Sequence, residues 1–206
     1  MKRILFFIFL IYNLTLSQDN IDLNLKEQAI IDLCNFPNLT DGVVDLLYLI
    51  VDNYWHQGQY SKIFPVFYLI TRISPNDINA YCVGGWFLIN GIAPEYKGIK
   101  KERIKDYAIR FMKEGIEKNS KDYRLYWEIG WFFYNEGKFD KAIEYLNEAE
   151  KYNHPFYIES LKAQIYMKRN EKEKAIEEWE KIKNRYPERK EIAERFIKKL
   201  KGLEEE

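Results

Sequence analysis

The strongest constraint on this chain is a set of small and aromatic residues that returns at a fixed interval. Gly130, Phe133, Ala142, Leu146 and Ala149 are followed 33 residues later by Ala163, Tyr166, Ala175, Trp179 and Ile182. Pro155 and Pro187 are 32 residues apart. Upstream, Val51, Tyr54, Gly58, Tyr60, Ile63, Phe67, Ile70 and Pro75 keep the same internal spacing. A further copy opens at Ile78 with Gly85 and Leu88, breaks near Gly91, and resumes with Ala108, Met112 and Gly115. Regular spacing leaves the segment 92–102 over as an insertion. Self-similarity at such a period implies stacked units, each too small to bury its own apolar face.

Elementary packing explains the positions. Two helices of about 14 residues and a turn fill one unit of this length. A small residue such as Gly130 or Ala163 lets the partner helix approach, with Ala142 and Ala175 doing the same from the other side. Tyr54, Phe133 or Tyr166 fills the gap between them. Gly58 and Gly137 suit the turn. Pro75, Pro155 and Pro187 stop a second helix, because proline lacks the donor and clashes in a helix interior. The chain has only 10 Gly and 6 Pro in 206 residues, which fits mostly helical structure with short connections. No strand is expected.

This pattern resembles the tetratricopeptide repeat over residues 44–187. The third copy matches best; the second departs by its insertion and by Ser120 where the family has a proline. The resemblance implies an all-α fold: a right-handed superhelix of about four helix-turn-helix repeats and about ten helices. Its ends would be closed by a helix near 22–34, within an 18–43 cap, and by a C-terminal capping helix in 188–206 that turns Ile192, Phe196 and Leu200 to one face.

The resemblance also implies that the first helix of each pair lines a concave wall. On that wall the third copy places Trp127, Trp131 and Tyr134, at i, i+4 and i+7. The matching stripes are Tyr48, Asp52 and Trp55, then Cys82, Trp86 and Ile89, then Ser160, Gln164 and Met167 with Tyr157 beside them. Two interpretations fit these rings. They pack on one another as core, or they form an aromatic groove for a segment of a partner protein, with Tyr48, Trp55, Trp86, Trp127, Trp131, Tyr134 and Tyr157 as anchors. Sugar stacking on the same rings, in an envelope glycan-binding module, is the alternative. Family members that clamp a C-terminal carboxylate do so with Lys and Asn; here Tyr48, Asp52, Trp86, Trp127 and Trp131 stand in those places, and no such clamp is expected.

The first residues suggest export. Lys2 and Arg3 precede an apolar run over 4–16 broken only by Asn13 and Thr15, and Thr15 and Ser17 are small residues suited to cleavage after Ser17. A spanning helix needs about 20 apolar residues, so 1–17 reads as a signal peptide, or as a short membrane anchor if uncleaved, and the protein as periplasmic or envelope-associated. In that setting Cys34 and Cys82 either pair or stay as two small buried thiols.

Chemistry is sparse. Thirty-two basic residues balance 32 acidic ones, so nothing points to nucleic acid. No nucleophile elbow, zinc-binding pair of histidines or phosphate loop appears, and His56 and His154 stand alone. The sequence therefore points to no catalytic residue, metal or cofactor. Glu-rich segments such as 171–180 read as a solvated, salt-bridged face. The insertion reads as a solvated loop and helix start, or as a basic edge in which Lys97, Lys100, Lys101, Arg103 and Lys105 touch anionic headgroups or an acidic partner.

Overall fold

In the computed structural model the structure describes residues 40–202. These fall into two compact units that divide between Ser74 and Pro75. The proposed leader, the N-terminal capping helix and Cys34 lie outside the described residues.

The first unit is one helical hairpin. Helix α1 spans Thr40–His56 and α2 spans Ile63–Ile73, joined through a 3-10 turn at Tyr60–Lys62. Gly58 adopts φ +68°, and the amides of Gly58 and Gln59 close the helix end on the carbonyls of Trp55 and Tyr54. Val43, Leu47 and Tyr54 of α1 are buried with Ile63, Val66, Phe67 and Ile70 of α2. Pro65 is tolerated because it lies in the first turn of α2, where no intrahelical amide is required.

The second unit has seven α-helices among the described residues and no strand. They are α3 (Ile78–Phe87), α4 (Gly98–Lys118), α5 (Arg124–Asn135), α6 (Phe139–Ala149), α7 (Tyr157–Lys168), α8 (Lys172–Arg185) and α9 (Lys190–Leu200). Each packs against its neighbour in sequence, and α3 also packs against α5. The architecture is an all-α helical repeat solenoid. No helix among the described residues is long and apolar enough to cross a membrane.

Glycines set the closest approaches. A Cβ at Gly85 of α3 would overlap Met112 of α4, and one at Gly115 of α4 would lie 2.5 Å from Tyr81 Cγ of α3, so each helix presents backbone to a side chain of the other. The turn between α5 and α6 uses Gly137 at φ +70°. The equivalent turn between α7 and α8 uses Asn170 at φ 58°, a residue that tolerates the left-handed region better than most. The same two hydrogen bonds close both turns, from Gly137 and Lys138 to Tyr134 and Phe133, and from Asn170 and Glu171 to Met167 and Tyr166.

The inserted residues are mostly helical, with a short irregular link at 96–97 before the helix start. The first helix of the second pair runs on into a π turn at Leu88–Ile92 and a 3-10 turn at Ala93–Glu95. The remainder lengthens α4 to 21 residues, against 11 in α6. At the C-terminal end, Trp179 stacks on Phe196 at 4.3 Å, and Ala193 and Ile197 fill the core beside Ala163 and Ile182. The buried face of α9 is therefore centred one residue further along than the expected Ile192 face, and Ile192 is exposed.

Three expectations about charge are corrected. Lys105, placed by the sequence on a basic edge, is buried, and its ammonium donates to Glu136 at 2.7 Å and lies 3.3 Å from Glu102. Glu178, in the segment read as solvated, is 4% exposed and lies 3.1 Å from the buried Lys162, which also donates to Glu150 at 2.7 Å. His154 is not solitary: its Nε2 lies 3.0 Å from Glu159, and Arg185 donates to the same carboxylate at 2.8 Å. A buried charge must find such partners, because desolvation costs several kcal/mol per ion.

Candidate functional site

The site residues sit on the second unit's α3, α4, α5 and α7. In α5, Leu125, Ile129, Gly130, Phe132 and Phe133 are buried. Phe133 packs on Tyr145 with ring centroids 5.6 Å apart. The helix is apolar nearly all round, and the residues left over form a second stripe. Trp127 stacks on Trp131 at 5.6 Å, and Trp131 on Tyr134 at 5.4 Å. Trp127 also meets Tyr157 of α7 at 4.5 Å. The Tyr157 hydroxyl donates to Tyr123 at 3.0 Å, and burial together with that bond pushes its phenol pKa up. Lys168 closes the far end, 4.7 Å from the centre of the Tyr134 ring. Four expected residues, Trp127, Trp131, Tyr134 and Tyr157, thus form one continuous ladder of rings held by neighbours on both sides.

Beside the ladder is an open cleft of about 240 Å³. Trp86, Ile89, Asn90 and Pro94 line one wall, Lys101, Lys105 and Met112 another, and Glu128, Trp131, Phe132, Asn135 and Glu136 a third. Trp86 and Trp131 therefore share one cavity, and they keep 43% and 39% of their surface exposed. The insertion contributes Pro94 and Lys101 to the cleft, and Lys105 follows one turn further along α4.

Tyr48 and Trp55 belong to the first unit. There Tyr48 meets Phe67 edge-on at 6.1 Å, and Trp55 lies 5.4 Å from Tyr60 with 48% of its surface exposed. His56 at the end of α1 is exposed, and its Nδ1 lies 2.9 Å from the Asp52 carbonyl oxygen. Of the basic cluster, Lys97, Lys100 and Arg103 are exposed and Lys101 is half-buried. Lys100 lies 3.9 Å above the Tyr96 ring.

The expected stripes omit Glu128. It is half-buried in α5, and burial alone pushes its carboxyl pKa up to about 7. A signal for it existed: Glu128 is the one charged residue between Arg124 and Glu136. Its neighbour Cys82 is a half-buried free thiol whose pKa is pushed up to about 12 by burial and then by the Glu128 charge. A thiol in that state is not a nucleophile at neutral pH. Among the described residues, no group of three or more His, Cys, Asp or Glu is placed to hold a metal ion.

Known proteins share both the repeat and the fold. Residues 123–153 and 161–189 each match the tetratricopeptide repeat family. No curated protein sequence matches significantly. Among solved structures, a thermophilic tetratricopeptide protein of Thermus thermophilus superposes with a TM-score of 0.57 at 16% identity, over 83% of this chain and 89% of that one. The MamA protein gives 0.56 at 19% identity over 78% and 83%, and PilF of Pseudomonas aeruginosa 0.53 at 16% over 81% and 79%. At these identities the likeness is one of fold. Two tetratricopeptide repeats are thus matched in sequence within residues 123–189, and the all-α repeat fold is shared with these structures along most of the chain.

Proposed function

We propose that the protein is an exported, non-catalytic scaffold that holds a segment of a partner protein against the aromatic ladder and cleft of its second unit. Tetratricopeptide repeats are protein-interaction modules, and the repeats matched over 123–153 and 161–189 support a protein-interaction scaffold. The observation that carries the finer reading is the state of Trp86 and Trp131: both rings face one cleft, Trp131 is fixed by stacking between Trp127 and Tyr134, and both keep about two-fifths of their surface in contact with water. Rings held in place but incompletely covered lose little entropy when a partner covers them, which is how Trp and Tyr become interface anchors. Trp127, Tyr134 and Tyr157 extend that surface, and Tyr48 and Trp55 offer a similar one on the first unit. Export rests on the leader-like residues 1–17 alone.

The test compares the wild-type chain with a Trp86→Ala, Trp131→Ala double variant for retention of synthetic peptide pools and of soluble cell-wall glycan. Peptide retention lost in the variant, with the melting temperature nearly unchanged, is the expected result. Glycan retention without peptide retention would replace the proposal by the sugar-stacking alternative. A large loss of stability in the variant would make the two rings core and remove the site. Export is checked by the mass of the protein recovered from its native cells, which should lack residues 1–17.

A further inference from the structure

The cleft restricts the chemistry of what enters it. The Glu128 carboxylate lines it, half-buried, and makes no hydrogen bond or ion pair among the described residues. Two of the cations near it are committed elsewhere. Arg124, one turn earlier on α5, donates Nε and Nη2 to Asp122 over 2.7–3.1 Å and Nη1 to Asn79 at 2.9 Å. Lys105 is held by Glu136 and Glu102. Lys101 lines the same cleft, half-buried, and makes no ion pair with Glu128. The Glu128 carboxyl thus shares the cleft with two exposed indoles, and no cation is paired with it among the described residues.

We infer that Glu128 selects a basic side chain: the cleft takes a partner segment that presents a Lys or Arg beside Trp86 and Trp131, with its cation on the Glu128 carboxylate. This rests on the docking of a partner segment proposed above. Three observations support it. The fold has already removed part of the water from the half-buried Glu128, so an incoming cation meets a carboxylate that has less water left to shed. Two exposed indoles line the same cleft, and a guanidinium or ammonium is attracted to their faces as well as to the carboxylate. The volume of about 240 Å³ lies below the roughly 300–1,000 Å³ of a drug-sized ligand site and suits one long side chain. An apolar side chain there would bury the Glu128 charge further without a partner, and an acidic one would add repulsion.

The experiment uses the full chain, immobilised, and four synthetic nonapeptide pools. Flanking positions are randomised over uncharged residues, and the central residue is fixed as Arg, Lys, norleucine or Glu. The Arg and Lys pools should be retained about tenfold more than the norleucine pool, the ratio that one charge-assisted contact supplies, and the Glu pool least. Glu128→Gln, which keeps the shape and removes the charge, should bring the four pools to within about twofold of one another, the size of effect expected once no charged contact discriminates them. Glu128→Lys should favour the Glu pool. Wild-type retention of norleucine equal to Arg, with all retention lost in the Trp86→Ala, Trp131→Ala variant, would overturn the cation selection and leave the docking site standing. Retention of no pool by the wild type would overturn both. Persistence of the Arg preference in Glu128→Gln would move the selection to another residue and refute the inference.

Discussion

Replacing Gly115 by Ala should destabilise the protein, whereas the same change at Gly130 should not. A methyl group at Gly115 would stand 2.5 Å from Tyr81 Cγ and 2.8 Å from both Tyr81 Cβ and Leu125 Cδ1. Tyr81 and Leu125 are fully buried, and the Tyr81 atoms are those nearest its backbone, so the Tyr81 side chain cannot swing clear. The helices themselves must part. Overpacking of this kind costs about 1–3 kcal/mol, and rigid neighbours favour the upper end. Alanine returns about 1 kcal/mol of helix propensity over glycine, which leaves a net loss of about 2 kcal/mol. For a chain of this size that lowers the melting temperature by about 4–8 °C. At Gly130 the added atom would lie 3.2 Å from Leu146 Cγ and Cδ2, a crowding relieved by a shift of a few tenths of an ångström. There the strain and the propensity gain nearly cancel, and the melting temperature should move by no more than about 2 °C. Thermal unfolding followed by circular dichroism at fixed protein concentration checks both. If Gly115→Ala melts with the wild type, or if Gly130→Ala falls as far as Gly115→Ala, then close approach at these glycines does not limit the packing.

The remaining predictions concern the core, the buried charges and pH. Phe133→Ala should cost about 3–5 kcal/mol, as a buried aromatic does, and Trp131→Ala clearly less, because two-fifths of its surface is already in water; urea unfolding separates the two. Lys162→Met should cost about 3 kcal/mol in the same assay, since it leaves the buried Glu178 carboxylate with Lys181 as its remaining cation. Glu128→Gln tests the raised carboxyl directly. The folded pKa of about 7 lies above the unfolded value, so the stability linked to protonation is fully present below about pH 4.3 and is lost as pH rises through 7. The variant should therefore match the wild type near pH 4 and melt higher than it near pH 8. Asp122, Arg124, Cys82 and Tyr157 surround Glu128 in both proteins and cancel in that difference. An equal gap at both pH values would show that Glu128 is not desolvated.

What could be read from the residues divides along a physical line. Helix pairs, their turns at Gly58 and Gly137, and the division of α5 into a buried face and a ring-bearing face follow from spacing along one element, which a linear pattern records. The partners of buried charges do not. Lys105 and Glu136 are 31 residues apart, Arg185 and Glu159 are 26, and Lys162 and Glu150 are 12. Each looks like an ordinary surface residue until the stack brings its partner to it. The turn at Asn170 is not legible in the spacing, because the repeat places glycine there and asparagine reaches the same backbone region by another route. Glu128 was visible as a lone charge in an apolar helix, but its weight depends on the cleft wall contributed by α4, which no pattern within α5 encodes.

The lengthened α4 has a consequence for how such a chain can change over evolutionary time. In a linear array each unit answers only to the units on either side, so extra turns in one hairpin leave the distant joints undisturbed. Here those turns convert a plain ringed facade into a walled niche by bringing Pro94, Lys101 and Lys105 alongside Trp86 and Trp131. Shortening that helix by whole turns would reopen the facade while the framework stayed intact. Length variation in a single hairpin, more than substitution along the whole scaffold, is thus the economical route by which an array of this type acquires a new guest.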